Sequence, residues 1–304
     1  MNARNAAFGP ERRLARTGRL YTAPSLLVIL AITVFPIVFS VVLSFAEVRL
    51  TLNGFQVERL TLGNYDAMLG SGEWWYALLF TAGYTAVTVA VELALGIMAA
   101  LVLERLDAAR GWIMALLLIP WSMITVVSGQ LWAFVYDSTY GAATWFLGLF
   151  TGSPPVIMGD PASAIAAMAA ADIWKTTPFV AIIVLSGLML IPRDVYESAE
   201  IDGAGPWTTF WRITLPMLRP TLAIAVLFRI LQAFGLFDLP FVLTSGGPGT
   251  STQSLAMMGY TVLFQDLNIG PGAAIATSTA LIVLLACLAF IKVFRYQVGR
   301  EEIR

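Results

Sequence analysis

Six apolar runs of about 20 residues or more recur along the chain, and stretches of that length cross a bilayer rather than fill a soluble core. They fall at about 22–46, 75–103, 111–136, 163–191, 220–243 and 271–294. Only 12% of the residues are charged and 58% are hydrophobic, whereas an ordinary soluble domain carries about 25% charged residues. The expected fold class is therefore all-α: a polytopic membrane protein with six transmembrane helices in a single domain over 1–304. Arg12, Arg13, Arg16 and Arg19 precede a first run too long for a signal-peptide core, and no small-residue cleavage site follows. An uncleaved first helix is the expectation.

The residue inventory removes several chemistries. There is no histidine, and Cys287, in an apolar run, is the only cysteine. An intrachain disulfide is excluded, and the thiol is expected to pack as a small hydrophobe. Ser-His and Cys-His catalytic pairs are excluded too, and the usual transition-metal ligand sets are missing. A net charge of −1, with no basic patch interleaved with aromatics, gives no footing for a nucleic acid.

Basic residues set the orientation. With the N-terminus inside, 18 Lys and Arg residues distribute so that only Arg49 and Arg59 face outside, while Lys175 and Arg229 lie within spans. Both termini are expected in the cytoplasm. The outer segment 47–74 holds "LGNYDAML" and ends in Trp74 and Trp75, an aromatic pair suited to anchor a helix end at the interface. A short amphipathic element followed by a turn at "TGSPP" is expected in 137–162, and "SGGPG" at 245–249 forms a second turn cluster. No internal repeat of the kind found in many secondary transporters is visible.

One inner segment breaks the apolar pattern: "YESAEIDGAGPWTTFWRITLP", residues 196–216. Asp194 followed by Glu197 reads as a capping box opening a short helix over about 194–202. Gly203 and Gly205 permit a sharp turn, and Pro206 suits the first turn of a second short helix. Two short helices at an angle are predicted at the inner membrane face, with Leu215 and Pro216 leading into the fifth span.

Glu197-Ser198-Ala199, Asp202-Gly203-Ala204 and Ile213-Thr214-Leu215-Pro216 resemble the EAA signature of permease subunits of bacterial ATP-driven (ABC) importers, with Ser198 where alanine is usual. "VFPIVFSVVLSF", "LGNYDAML", "LLLIPW", "DIWKTTPF" and "LTSGGPG" are similar to the sugar-importer permeases of the maltose, trehalose and glycerol-phosphate type. The resemblance implies a type I importer permease fold in which 193–216 is a cytoplasmic coupling helix docked on an ATPase subunit. It implies that Glu197 pairs with a basic group there and that Ala199, Gly203 and Ala204 allow close backbone approach. Asp202 would fix the turn, while Ile213, Leu215 and Pro216 tie the helix to the fifth span. The implied partners are a second permease in a heterodimer, two ATPase subunits, an extracytoplasmic solute-binding protein and a carbohydrate, in a bacterial cytoplasmic membrane with lipid around the spans.

ATP chemistry is expected elsewhere. Of the two lysines, Lys175 and Lys292, neither follows the glycine-rich run of a P-loop, so no cofactor is expected in this chain and ATP with Mg would bind the partner ATPases. Ionisable groups inside spans are costly and so mark function by default. They are Glu92, Asp172, Lys175 and Arg229, with Asp238 at a span end and Gln130 and Gln232 as neutral companions. Asp172 and Lys175, three apart, have the spacing to pair along one helix face, above a bend at Pro178. They would serve either a cavity wall or a bundle-holding ion pair, and the resemblance favours the solute pathway. Arg229 lies roughly 14 Å into the fifth span, with Gln232 on its face and Asp238 pointing nearly opposite. Its partner is left open among Glu92, Asp172 and a second permease. Trp132, Tyr136 and Tyr140, at i, i+4 and i+8, offer an aromatic face for a sugar ring or a packing face. A permease subunit is the leading reading. The competing ones are an ion-coupled secondary carrier using Asp172, Lys175 and Arg229, and an intramembrane enzyme using Glu92 and Asp172.

Overall fold

The computed structural model describes residues 8–51, 54–106 and 108–301, apart from the side chains of 8–20 and 295–301. The basic groups at both ends that enter the orientation argument (Arg4, Arg12, Arg13, Arg16, Arg19, Arg295, Arg300 and Arg304) lie outside the described residues or side chains. Helices α1 (Phe8–Ser44), α3 (Gly72–Glu104), α7 (Pro161–Leu188) and α12 (Ile269–Glu301) account for the first, second, fourth and sixth runs; their connecting elements are given below. Among the described residues five helices are long and apolar enough to cross a membrane, and a pair bent by 90° passes the same test of length and composition when taken together, which makes six if the pair is one span. The ordered elements among the described residues are helical apart from one β-hairpin.

Packing centres on α3 and α7, which cross in close contact. Gly96 makes that approach possible, since a Cβ there would lie 2.6 Å from Val180 Cγ1. Lipid tails are as apolar as leucine, so such helices are held by close van der Waals fit and buried polar contacts. Toward one end, Ala100, Leu103, Val180, Val184, Leu188 and Leu218 form one buried cluster. Toward the other, Tyr84, Tyr136, Met168, Ala171, Leu236 and Leu239 form a second. Helix α1 packs on α12, yet of its apolar stretch Tyr21–Ser44 only Leu43 and Ser44 are buried.

The segment after α1 contains more order than the sequence showed. Strands β1 (Ala46–Thr51) and β2 (Gly54–Leu60) form an antiparallel hairpin, followed by α2 (Gly63–Gly70) over "GNYDAMLG". Of the expected interfacial pair, Trp74 is buried in the core, whereas Trp75 is half exposed and donates from Nε1 to the Leu69 carbonyl at 2.8 Å.

Two expected spans are broken. The third separates into α4 (Arg110–Ser122) and α5 (Thr125–Val135), bent by 90°. Pro120 supplies no backbone donor in the last turn of α4, the Ser122 hydroxyl bonds the Ile119 carbonyl, and Met123 and Ile124 are extended. The apolar α6 (Ala142–Thr151) replaces the expected amphipathic element; its Trp145, Phe146 and Phe150 are exposed and it ends at left-handed Gly152.

The fifth span lies earlier than expected. After α8 (Arg193–Ile201), helix α9 runs from Pro206 to Phe234 without interruption, through a π turn at Phe210–Thr214. The expected second short helix is therefore the start of the span itself, the wider π turn carrying the helix past Pro216. Gly235 ends α9, and α10 (Asp238–Leu243) is a separate short helix packed on α5. The loop after α10 turns at Ser245, Gly246 and Gly249, all with positive φ, and leads into α11 (Leu255–Gln265).

A candidate solute pathway and coupling surface

Helix α8 begins one residue earlier than expected, at Arg193. Pro192 occupies the cap position and the capping box of Asp194 with Glu197 is not made; Asp194 sits in the first turn instead, where its charge favours the helix dipole. The helix ends in a Schellman motif. Ala204 N–H donates to the Ala199 carbonyl at 2.9 Å and Gly203 N–H to Glu200 at 3.0 Å, with Gly203 at φ +76°. This backbone arrangement demands a residue tolerant of the left-handed region and gives the Asp-Gly-Ala triplet a local reason.

The signature residues divide between two faces. Glu197, Asp202 and Gly203 are exposed. Ala199 is buried against the bundle, Ala204 is half-buried, and Ile213, Leu215 and Pro216 are half-buried at the start of α9. The Thr214 hydroxyl donates to Tyr196 Oη at 3.3 Å, tying α9 to α8. At Gly187, whose added Cβ would sit 2.5 Å from Thr221 Oγ1, α7 and α9 come into close contact.

Deeper in the bundle the charged residues of three helices meet. Arg229 on α9 and Glu92 on α3 are both buried, and the guanidinium grips the carboxylate twice: Nη2 donates to Oε1 at 2.8 Å and Nε donates to Oε2. Nη1 donates to Gln232 Oε1 at 3.0 Å, and Nη2 lies 3.7 Å from Asp172 Oδ2 on α7. The Thr176 hydroxyl reaches Glu92 Oε1 at 2.6 Å. Of the partners left open for Arg229, the two within this chain are both engaged. The expected pairing of Asp172 with Lys175 is replaced: Asp172 turns to Arg229, and Lys175 Nζ donates to the Trp121 carbonyl at 3.4 Å.

Beside this network lies a cavity of about 330 Å³ bordered by Asp172, Lys175, Arg229 and Gln232. Trp121, Thr125, Thr176, Phe237 and Asp238 add to its polar and aromatic wall. Asp238 was expected to point away from Arg229, as it would on an unbroken helix; the break at Gly235 turns it onto the cavity. Trp121, stacked on Phe179 at 5.5 Å, is the aromatic residue that sequence reasoning missed. Its signal was the Pro120-Trp121 step, where the third span breaks.

The expected aromatic face does not form. Tyr136 ends α5 buried, its hydroxyl donating to the Ala167 carbonyl at 3.0 Å, and Trp132 packs edge-on against Trp174. Asp137 then accepts from the amides of Thr139 and Tyr140, so the chain leaves the helix before the i+8 position. The Thr139 amide holds the Asp137 carboxyl below its usual range. Tyr140 is exposed and packs on Phe134.

A bundle of helices long and apolar enough to span a membrane, packed around a charged cavity and with a structured segment at one end, is the architecture of a permease, a subunit that forms a passage. The chain belongs to the family of binding-protein-dependent transport system inner membrane components, whose model matches residues 92–300. It is 36% identical over 288 residues to the trehalose/maltose transport system permease protein MalF of Thermococcus litoralis, covering 94% of this chain and 96% of that one. It is 35% identical over 284 residues to the trehalose transport system permease protein SugA of Mycobacterium tuberculosis, covering 93% and 89%. A crystal structure of a bacterial ABC transporter that imports the acidic polysaccharide alginate shares the fold, with a TM-score of 0.81 at 19% identity over 94% of this chain and 98% of that one. The ion-coupled carrier finds no support, and Arg229 is engaged by Glu92 and Gln232.

Proposed function

We propose that this chain carries a sugar or sugar-like solute inward by alternating access. It forms a heterodimer with a second permease, is driven by two ATPase subunits that bind ATP and Mg, and is fed by an extracytoplasmic binding protein. It lies in a bacterial cytoplasmic membrane with both termini inside. The permease names of its relatives and a solved alginate importer in complex with its periplasmic protein support this reading.

The observation that carries it is the continuity of α9. One helix holds Ile213, Leu215 and Pro216 beside the coupling segment and Arg229 and Gln232 at the cavity. Exposed Glu197, Asp202 and Gly203 form the docking surface for an ATPase, and buried Ala199 and the Tyr196–Thr214 contact pass its displacement to α9. The cavity changes shape when α9 moves against α7. Asp172, Lys175 and Gln232 meet solute hydroxyls there, together with Trp121 and Asp238; Arg229 positions Gln232 and Asp172 rather than meeting solute. Trp132 and Tyr136 hold the wall from behind.

The test is reconstitution with the cognate ATPase, second permease and binding protein in liposomes, reading ATP hydrolysis stimulated by the loaded binding protein. Glu197→Ala and Gly203→Asp are expected to weaken both ATPase association and stimulation. Uptake that persists without any ATPase and follows an ion gradient would overturn the proposal.

A further inference from the structure

The hairpin β1–β2 is two-faced. Its cross-strand partners Ala46/Leu60, Val48/Val57 and Leu50/Phe55 place every side chain of one face among the apolar types. The opposite face carries Glu47 opposite Arg59 and Arg49 opposite Gln56, with ion pairs Arg59–Glu47 and Arg49–Glu58. The charged face is thus neutralised within itself and well solvated. The apolar face is not covered: Leu50, Phe55, Val57 and Leu60 are 44 to 73% exposed, and β2 is exposed along its whole length. A lone two-stranded hairpin is at best marginally stable in water, so this one needs a surface.

Its attachment says which surface. The Asn64 amide donates to the carbonyls of Ser44 and Ala46 at 3.0 and 2.9 Å, and Thr61 N–H donates to Phe45 at 2.7 Å, pinning the hairpin base to the end of α1. Phe55, near the free end of the strands, packs on Phe39 of α1 with ring centroids 6.0 Å apart. Phe39 lies five residues before the end of α1, about 7.5 Å deeper along its axis. The hairpin therefore folds back beside the span, touching α1 through Phe55 while the rest of its apolar face stays uncovered. That depth matches the ~5–10 Å to which amphipathic elements enter the boundary between headgroups and acyl chains. Trp75 and Tyr76, half exposed in the first turns of α3, mark the same boundary.

We propose that the hairpin is an interfacial wedge, lying in the lipid headgroup boundary opposite the coupling segment with its apolar face in lipid and its ion-paired face in water. It fixes the depth and tilt of α1. The proposal rests on the membrane embedding alone and not on the solute carried.

The test uses this chain together with the subunits that copurify with it, in liposomes and in a Cys287→Ala background, with single cysteines at 55, 57, 49 or 56 bearing an environment-sensitive fluorophore. Nitroxide lipids labelled near the headgroup are expected to quench positions 55 and 57 several-fold more than 49 and 56, and aqueous iodide to show the reverse order. Leu50→Cys and Leu60→Cys, on the same apolar face, replace any variant that fails to assemble. Equal quenching of both faces would overturn the proposal. So would positions 55 and 57 shielded from both quenchers, which would assign the face to a protein partner instead.

Discussion

Arg229 is held in the bundle chiefly by Glu92, which it grips twice, with buried Asp172 as a second, more distant counter-charge at 3.7 Å. Removing one partner of a buried pair leaves an uncompensated charge at a cost of about 3–5 kcal/mol, whereas removing both with well-packed apolar residues is often close to neutral. Arg229→Met and Glu92→Met are each expected to lower the thermal midpoint of the purified protein sharply, and the double variant to recover part of the loss, since buried Asp172 also loses Arg229. A double variant as unstable as the sum of the two would show that the groups do not act as a pair. Lys175 differs, since a single 3.4 Å contact to a carbonyl contributes little to folding. Lys175→Met is expected to change solute uptake while leaving the thermal midpoint unmoved. All four charged or amide candidates at the cavity were legible from the rule that ionisable groups in spans mark function. Asp238, named at a span end, was set on the side opposite Arg229 by assuming an unbroken helix, and Trp121 had no period to announce it.

At the level of elements, glycines set which helices touch. An added Cβ at Gly187 would meet Thr221 at 2.5 to 2.9 Å, and overpacking of this kind costs about 1–3 kcal/mol. Gly187→Ala is expected to destabilise the α7–α9 contact, with partial rescue by Thr221→Ala, read as thermal stability in detergent. Gly203 is different, because nothing lies within 4 Å of its added Cβ and only its φ of +76° resists substitution. A side chain there costs about 1–2 kcal/mol, so Gly203→Ala is expected to weaken ATPase association more than Gly203→Asn, which tolerates the left-handed region. Equal effects would locate the fault at the docking surface rather than in the turn. The turn itself was readable from Asp202-Gly203-Ala204. The merging of the second short helix into the fifth span was not, because a π turn has no residue signature that distinguishes it from an α-helix followed by proline.

For the whole molecule, the orientation predicts that a cysteine at Ser198 reacts with an impermeant thiol reagent only in inverted vesicles, and one at Gln56 only in right-side-out vesicles. The opposite labelling would reverse the topology. The sequence by itself determined that the chain is a helical membrane protein, that its inner segment carries a turn between Ile201 and Pro206, and which ionisable residues sit at membrane depth. Those conclusions follow from local causes: the length of an apolar run, the conformational tolerance of glycine, and the cost of charge in lipid. Only the tertiary structure decided that the third span bends by 90°, that the fifth ends at Gly235 so that Asp238 joins the cavity, and that Glu92, among the partners left open, is the one Arg229 grips while Asp172 faces Arg229 and not Lys175. Each depends on groups far apart in sequence, 137 residues for Glu92 and Arg229. No local pattern encodes which two of several buried charges will be brought together when three helices pack.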